Sequence, residues 1–344
     1  TTYRIQVKVY DKEIEKGGLW EHGWECKEGI LTWKDNGTLG ALASKPSILA
    51  SSNLCALQVD NTTIRRIGPN RNPNTIYAVT EGTAVPTGLT ESNLVIADSA
   101  QSINFCSGYA YYVPSTFTAN KACFTHTFPE EGNGKGWQTI TLPFAVDSVS
   151  VAGRGMQLND ELNHCWIYEF AWTEDDGTPV FTPAQQLCAN TPYLIAADSC
   201  LHGKSIEFHA TDVSVFATAT CKSVVSSQDY SFMGTSLCES KKGVYVLNAD
   251  GTALEFSDNA VTTTPTGAYF TTRLGEGTRL PAILLPKVPT SLDTAVKGVK
   301  ADGSNDNEDV YTTTGQRVGT AAMLRSGQLA PGIYIRKGRT ILVK

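Results

Sequence analysis

The sequence predicts a mainly β protein, built from β-sandwich-type antiparallel domains with few short helices. Apolar and polar residues alternate along many short segments, as they do in a strand with one buried and one solvated face. These segments are rich in β-branched and aromatic residues, and turn-forming residues separate them. Helical periodicity is scarce, since the best candidate, residues 39–57, is interrupted by Pro46 and several serines. We therefore expect at most one or two short helices.

The individual strands follow in chain order. "YRIQVKVY" at residues 3–10 places its apolar side chains on one face and Arg4, Gln6 and Lys8 on the other. "WQTITLPF" at 137–144 sets Trp137, Thr139 and Thr141 against Ile140 and Leu142. "HCWIYEFAW" and "KSIEFHATDVSVF" predict two further strands. "GVYVLNADGTALEF" predicts a hairpin, because its Asp-Gly dipeptide tolerates the positive φ of a tight turn.

Two loop-like segments suggest the domain organisation. Residues 66–74, "RIGPNRNPN", combine prolines, a glycine and asparagines, and residues 286–309 lose apolar periodicity and end in "ADGSNDNED". The predicted N-terminal β-rich region is either a whole domain or the cut end of a longer one. The predicted segments are this region at 1–75, one or two central β-sandwich-like domains at 76–285, a linker at 286–309 and a C-terminal sorting-like β-module at 310–344.

Composition narrows the classes of partner and compartment. The net charge of -6 argues against nucleic acid as a partner, and no segment has the ~18 apolar residues of a membrane span. The chain begins without Met or an apolar signal segment, so we expect residue 1 to follow a processing step. The nine cysteines are an odd number without a CxxC pair, which leaves two alternatives open: mostly buried thiols, or one or two disulfides.

Motifs for catalysis or cofactor binding are lacking in the sequence. "EGNGKGW" at 131–137 has neither the spacing nor the following Ser or Thr of a phosphate-binding loop. GxSxG and HExxH do not occur. We predict no enzyme activity, no cofactor and no metal. Three sets of residues have side chains of the right type for such sites. For zinc they are Cys200, His202, His209 and Cys221, and for calcium Asp302, Asp306, Glu308 and Asp309. For glycoside hydrolysis they are Asp160, Glu161, Glu169 and Asp175.

Aromatic residues suggest one ligand-binding alternative. Trp20, Trp24 and Trp33 cluster in "GGLWEHGWECKEGILTWKD". Exposed Trp rings offer a flat apolar surface with a polar edge, which suits stacking on the faces of sugars. Burial of these rings in a core is the simpler alternative. The sugar-binding hypothesis requires that they be exposed and coplanar.

The C-terminal stretch from Glu308 to Lys344 combines a strand, a glycine-basic turn, the "PGIYI" strand, a Lys-Gly turn and a closing strand. This combination resembles the ends of secreted and cell-surface proteins of Bacteroidetes. In related sorting domains of the type IX secretion route such a module directs export, so the resemblance implies an extracellular or outer cell-surface location. We expect Ile333 and Ile335 to face inward together with Ile341 and Val343.

A second resemblance spans residues 74–285. "NTIYAVTEG", "SGYAYYVPSTFTANKACFTHTF", "GKGWQTITLPFAV", "ANTPYLIAAD" and "TPTGAYF" resemble a segment of large Bacteroides surface proteins described as adhesins. This resemblance implies cell adhesion or surface display, with an extracellular protein or glycan as the ligand. It also implies O-glycans on Asp-Ser/Thr-apolar sites, which here are Ser99, Ser148 and Thr294.

The leading functional hypothesis is thus a non-catalytic extracellular protein for adhesion or surface display. Two alternatives remain: a glycan-binding module of a polysaccharide-capture system, and a secreted glycoside hydrolase. The ligand itself is not encoded in any motif of the sequence.

Overall fold

The structure is a computed structural model. The described residues are 5–9, 24–27, 30–33, 54–59, 72–82, 85, 92–130, 136–159, 164–220, 223–227, 229–276, 279–289, 309–312, 316–320, 323, 329, 332–336 and 339–343. Contacts divide the chain into two compact units, Thr1–Val288 and Pro289–Lys344, and each is described by itself.

Strands dominate the described part of the first unit. In chain order they are β1 Ile5–Val9, β2 Trp24–Lys27, β3 Ile30–Trp33, β4 Leu54–Val59, β5 Ile76–Val79, β6 Leu94–Ile96, β7 Ser99–Cys106, β8 Phe117–Thr127, β9 Gln138–Leu142, β10 Ser148–Val151, β11 Arg154–Met156, β12 Cys165–Thr173, β13 Pro179–Pro183, β14 Thr191–Ala197, β15 Ser205–Val215, β16 Val224–Ser226, β17 Tyr230–Gly234, β18 Ser240–Lys241, β19 Val244–Leu247, β20 Ala253–Ser257, β21 Val261–Thr262, β22 Ala268–Thr272 and β23 Ala282–Leu284. The prediction of a mainly β, sandwich-type fold is confirmed.

These strands form three large sheets. The first sheet has the order β1-β4-β5-β6-β7-β8-β15-β10-β11, the second β13-β12-β14-β9, and the third β16-β17-β22-β19-β20-β23. Two-stranded ribbons pair β18 with β21 and β2 with β3. Most neighbours are antiparallel, but β4-β5, β5-β6 and β7-β8 are parallel. The first sheet is therefore mixed, which the sequence did not predict.

The second sheet is the middle layer of three. On β12, Cys165 and Ile167 belong to the core shared with the first sheet, whereas Trp166 and Phe170 belong to the core shared with the third. On β14 the same alternation places neighbouring residues in different cores, so its last six residues are all buried. A strand buried on both faces reads as a continuous apolar run instead of an alternation.

This middle position corrects the prediction for β9. Ile140 and Leu142 face the first core, as expected, but Thr141 is buried too, instead of lying on a solvated face. Its hydroxyl donates a hydrogen bond at 2.7 Å to the carbonyl of Gly267, in the segment that leads into β22 of the third sheet. A hydroxyl is stable in such a place because its hydrogen bond is satisfied.

Helical structure among the described residues of the first unit is confined to a 3-10 turn, Ser199–Leu201, whose first N–H donates to Asp198 at 2.7 Å. No described helix is long and apolar enough to cross a membrane. The predicted helical segment at 39–57 ends in strand β4, and residues 39–53 lie outside the described part.

The other predicted strands occur where the pattern placed them, as β1, β9, β12 and β15. The predicted hairpin pairs β19 with β20, and Gly251 in its turn has a φ of 65°. The predicted division of the chain stays a prediction. In the structure, β4 and β5 lie on opposite sides of the predicted boundary at residue 75 and pair with each other. Val288, from the predicted linker, packs on the core of the first unit.

Buried asparagines stabilise the turns that lead into the parallel strands. Asn74 donates to the carbonyls of Cys106 and Tyr109 at 2.8 and 2.7 Å and accepts from the Cys106 N–H at 2.6 Å. Asn93 donates to the carbonyls of Pro73 and Asn104 and accepts from the Asn104 N–H. Both asparagines precede an apolar strand. Their amides satisfy backbone groups that the irregular turns would otherwise leave unpaired.

The second unit is a small antiparallel sheet in its described part, with the order β25-β24-β26-β27. Its strands are β24 Asp309–Thr312, β25 Arg317–Thr320, β26 Gly332–Arg336 and β27 Arg339–Val343. Val310, Leu329 and Tyr334 form its core. Arg336 pairs with Arg339, so residues 337–338 connect the last two strands, as the Lys-Gly dipeptide predicts.

The predicted facing of that hairpin is wrong. Ile333 is 53% exposed and Tyr334 only 9%, because Tyr334 lies on the side of Val310 and Leu329. The register pairs Tyr334 with Ile341 and Ile333 with Leu342, so Ile333 and Ile341 belong to opposite faces. Both faces of each strand carry apolar side chains, so the sequence alone did not determine which face is buried.

A substitution in the β19-β20 turn tests the packing of the hairpin on β9. A Cβ atom on Gly251 would overlap the backbone of Trp137, whose N–H donates to the Gly251 carbonyl at 2.8 Å. Gly251→Ala should lower the free energy of unfolding by about 3 kcal/mol. Gly243 also has a positive φ but open space around it, so Gly243→Ala should cost only about 1 kcal/mol. Equal losses in urea denaturation would contradict this packing.

The buried amide of Asn74 provides a second test. Asn74→Ala leaves an N–H and two carbonyls without their partner and should lower the free energy of unfolding by about 3 kcal/mol. Asn104→Ala, which removes an exposed bond from Nδ2 to the Ser92 hydroxyl, should cost less than about 1 kcal/mol. Denaturation curves of both variants decide the matter, and a small loss for Asn74→Ala would show that its bonds are replaced by water.

Candidate functional site

The outer face of the first sheet is one candidate site. Strands β8 and β15 pair from Phe117↔Val215 to Thr127↔Ser205, which at about 3.3 Å per residue gives a ribbon about 35 Å long. Over much of this length, apolar side chains alternate inward and polar ones outward, as in Ile206 and Phe208 against Glu207 and His209. We use "outer face" for the side opposite the core on β7, β8, β15 and β10.

Two rows of side chains cross the outer face in register. The strand pairings align Asn104, Cys123, His209 and Ser148 in one row, and Cys106, Thr125, Glu207 and Ser150 in the next. The residues of these rows are exposed or half-buried, except Ser150, which is buried. The outer face is therefore a polar surface with many neutral hydrogen-bonding groups.

Ser150, His209 and Glu207 resemble a hydrolytic triad in composition but not in geometry. The Ser150 hydroxyl lies 2.8 Å from His209 Nε2 and 3.3 Å from Glu207 Oε2. Glu207 approaches the same nitrogen, Nε2, at 3.6 Å. In a working triad the carboxylate orients the histidine through its other nitrogen, which leaves the first free to accept the serine proton. This cluster offers hydrogen bonds, not an activated nucleophile.

The thiols on the outer face are not activated either. Burial raises the pKa of Cys106, and burial together with the nearby Glu207 carboxylate raises the pKa of Cys123. A raised pKa keeps a thiol protonated and therefore weakly nucleophilic. The free thiols among the described residues include Cys106, Cys123, Cys165, Cys188, Cys200 and Cys238.

The second candidate site is a groove to which all three sheets contribute residues. Its cavity has a volume of about 490 Å³. Seven of its lining residues carry hydroxyl groups that are not phenolic: Ser107, Thr127, Thr139, Thr262, Thr263, Thr264 and Thr266. Val246, Leu247, Val261, Pro265 and Ala268 add apolar walls, and the described lining residues include no Asp, Glu, Lys or Arg. The described part of the lining is therefore polar without being charged.

His126 lines this groove and is the unusual group in it. The residue is only 6% exposed, and neither ring nitrogen completes a hydrogen bond with a described residue. Its ring meets Phe128 edge-on, with ring centroids 5.1 Å apart. Burial lowers the pKa of His126 to about 4, although the Gln138 side chain beside it opposes the shift. At neutral pH the ring is therefore uncharged, with one donor and one acceptor nitrogen.

Thr266 gives the groove a strained backbone. Its φ is 59°, a left-handed conformation that β-branched residues rarely adopt. Three contacts hold it: its N–H donates to Thr235 at 2.8 Å, its carbonyl accepts from the Thr141 N–H at 2.7 Å, and its hydroxyl accepts from the Gly108 N–H at 2.9 Å. Strain of this kind persists only where the surroundings enforce it, and it is frequent at binding sites.

The structure places only some of the residues suggested for ligand binding. Trp24 and Trp33 are direct partners across the β2-β3 ribbon, but their side chains and the whole of Trp20 lie outside the described part. Ser99 and Ser148 are exposed at the starts of β7 and β10, and Thr294 lies outside the described part. Exposure of the three tryptophan rings stays a prediction.

The residues weighed for metals and hydrolysis do not assemble in the part of the chain that the structure describes. There, no group of three or more His, Cys, Asp or Glu could hold a metal ion. Glu169 pairs with Thr182 and Tyr193, and burial raises its pKa; Asp175 lies in an exposed turn. Outside the described residues lie Asp160, Glu161, Cys221, Asp302, Asp306 and Glu308.

The groove and one exposed aromatic ring were not predicted from the sequence. Trp172 is 48% exposed on β12, and its Nε1 donates to Glu174 at 3.0 Å. Alternation would place Trp172 on the buried face of Trp166 and Phe170, but the pairing of β12 with β13 shifts between Phe170 and Trp172, so the sequence carried no signal for its exposure. The groove has no sequence signal either, since its lining comes from five separate stretches of sequence.

The comparisons with known proteins give no relative. No family model matches the chain, and no curated protein and no solved structure shows significant similarity to it.

His126 makes stability depend on pH in a predictable direction. Its folded pKa of about 4 lies below the ordinary value of 6.5, so the unfolded chain binds the extra proton more readily. The shifted pKa of His126 therefore contributes about 3 kcal/mol to the free energy of unfolding above pH 6.5, and this contribution is lost as the pH falls to 4. Urea denaturation of the wild type and His126→Gln between pH 7 and pH 4 isolates it. A constant difference between the two proteins across this range would contradict the assignment.

Proposed function

We propose that this chain is a non-catalytic protein of the bacterial surface or the extracellular space that serves adhesion or surface display. The observation that carries this proposal is the outer face, a polar surface about 35 Å long formed by paired strands. Adhesion through such a surface uses many modest contacts and no deep pocket.

The chemistry of the outer face supports binding over catalysis. Asn104 and Thr211 are exposed polar side chains, and Ser150 and His209 bond to each other in a geometry that leaves the serine unactivated. A partner with matching donors and acceptors would find these groups already arranged by the strand register. Glycans on Ser148, in the same row as His209, would lie at the edge of this surface.

The second unit supports the proposed location. Its described strands form a sheet with its own small core, as a terminal address module requires. From residue 310 onward the chain has no Asp or Glu, and its six basic residues are Arg317, Arg325, Arg336, Lys337, Arg339 and Lys344. This pattern agrees with the resemblance to the tails of surface proteins.

A glycan-binding module is the second candidate, and the hydroxyl-lined groove favours it. Such a groove suits hydrogen bonds to sugar hydroxyls, and the exposed Trp172 ring adds a surface for stacking. For the third alternative, a glycoside hydrolase, two carboxylates must lie within roughly 5–9.5 Å across a cleft. Glu169 has Thr182 and Tyr193 as its direct strand partners, and neither carries a carboxylate. The described residues therefore give no support to a glycoside hydrolase.

An adhesion assay tests the leading proposal. Beads coated with the full chain are counted on fixed epithelial cells, before and after enzymatic removal of cell-surface glycans. Asn104→Arg combined with Thr211→Arg places two bulky charges on the outer face and should reduce adhesion about tenfold or more. The matched control, Ser226→Arg, changes an exposed strand residue of the third sheet that does not line the groove, and it should leave adhesion unchanged.

The outcomes separate the candidates. Loss of adhesion only in the outer-face variant supports the leading proposal, and equal adhesion of all variants rejects the outer face. Loss after glycan removal favours the glycan-binding module. Release of reducing sugar from polysaccharides by the purified chain would contradict a non-catalytic role.

A further inference from the structure

We propose that the groove around His126 binds a neutral, hydroxyl-rich ligand, the terminal sugar of a glycan. This inference rests on the second candidate function and gives it a place distinct from the Trp20, Trp24 and Trp33 region. It rests on several hydrogen-bonding side chains that line one cavity and have no hydrogen-bond partner among the described residues.

The unused groups come from three stretches of the chain. His126 has two buried ring nitrogens, and neither meets the geometry of a hydrogen bond with a described residue, although the Gln138 side chain lies beside the ring. Ser107, Thr262 and Thr264 also line the groove, and their hydroxyls have no partner among the described side chains and backbone groups; Thr262 and Thr264 are exposed. A buried polar group without a partner costs free energy, so a ligand that supplies the partner binds with that gain.

The described lining residues are uncharged, which favours a neutral ligand. A carboxylate or phosphate would lose water without meeting an unpaired cation there, which is unfavourable, because Lys241, over the ring of Tyr269, is already paired with Glu239 at 2.6 Å. A sugar hydroxyl donates and accepts at once. It therefore matches both a neutral imidazole and a threonine hydroxyl.

The size and walls of the groove also suit a sugar. A cavity of about 490 Å³ lies within the roughly 300–1,000 Å³ of small-molecule sites. Leu247, Val261 and Pro265 provide apolar surface for the C–H groups of a pyranose, while His126 and the threonines serve its hydroxyls. Such a mixture of apolar walls and a few polar groups is typical of ligand sites.

The groove is held in shape before any ligand arrives. The strained Thr266 is tied to Gly108, Thr235 and Thr141, so the loop after β7 and the loop before β22 cannot separate independently. A site that is already ordered loses little conformational entropy on binding.

Ligand titration by NMR tests the proposal. The probes are methyl glycosides of glucose, galactose, mannose, fucose and N-acetylglucosamine, with glucuronate and sialic acid as charged counterparts. In the chain with ¹⁵N-labelled histidine, at least one neutral glycoside should shift the ring nitrogens of His126 and leave those of His209 unchanged. The same glycoside should bind more tightly than either acidic sugar.

Matched variants locate the binding. Thr262→Val combined with Thr264→Val removes two rim hydroxyls and should weaken binding of that glycoside about tenfold. Thr118→Val, an exposed threonine near the other end of β8, should change nothing. His126→Gln should weaken binding by tenfold or more, and its melting temperature shows whether the fold survives. The rim variant decides the question if His126→Gln does not fold.

Several results would overturn the inference. These are an unshifted His126 with every neutral glycoside, stronger binding of an acidic sugar, and wild-type affinity in the rim variant. Glycan-dependent bead adhesion that survives the rim substitutions would reject the groove but keep the glycan-binding function. Glycoside binding at His126 without glycan-dependent adhesion would keep the groove and reject that function.

Discussion

The hydrogen bonds between β9 and the segment leading into β22 hold the first unit together as three layers. Thr141 donates through its N–H to Thr266 and through its hydroxyl to Gly267, both at 2.7 Å, and Thr139 accepts from the Ala268 N–H at 3.0 Å. This approach leaves little room for a side chain at Gly267 and none at Gly234, where a Cβ atom would press on Thr141. The middle sheet can therefore bury both faces, one against each neighbouring sheet.

The groove exists because of this junction. Thr139 and Thr266 take part in the junction and also line the groove. Gly108, in the loop after β7, donates its N–H to the Thr266 hydroxyl. A sequence pattern that maintains the three-layer packing would thus maintain the groove as well.

The two candidate sites differ in how their polar groups are used. On the outer face, His209, Ser150 and Glu207 bond to one another and stay partly in contact with water, so their hydrogen-bonding capacity is largely satisfied. In the groove, the ring of His126 is almost fully buried, and neither nitrogen completes such a bond with a described residue. A broad surface of satisfied groups suits contacts with a large partner, whereas a buried group without partners favours one small ligand.

The sequence by itself determined the elements. Alternation located β1, β12 and β15, and the Asp-Gly and Lys-Gly dipeptides located two hairpin connections, because strand period and turn conformation are local properties. Only the tertiary structure decided which faces are buried. It buried Thr141 in a third layer and Tyr334 instead of Ile333 in the small core, and it brought His126 to Thr264. Alternation separates two faces but does not say which one meets another sheet, since that depends on residues distant in the chain.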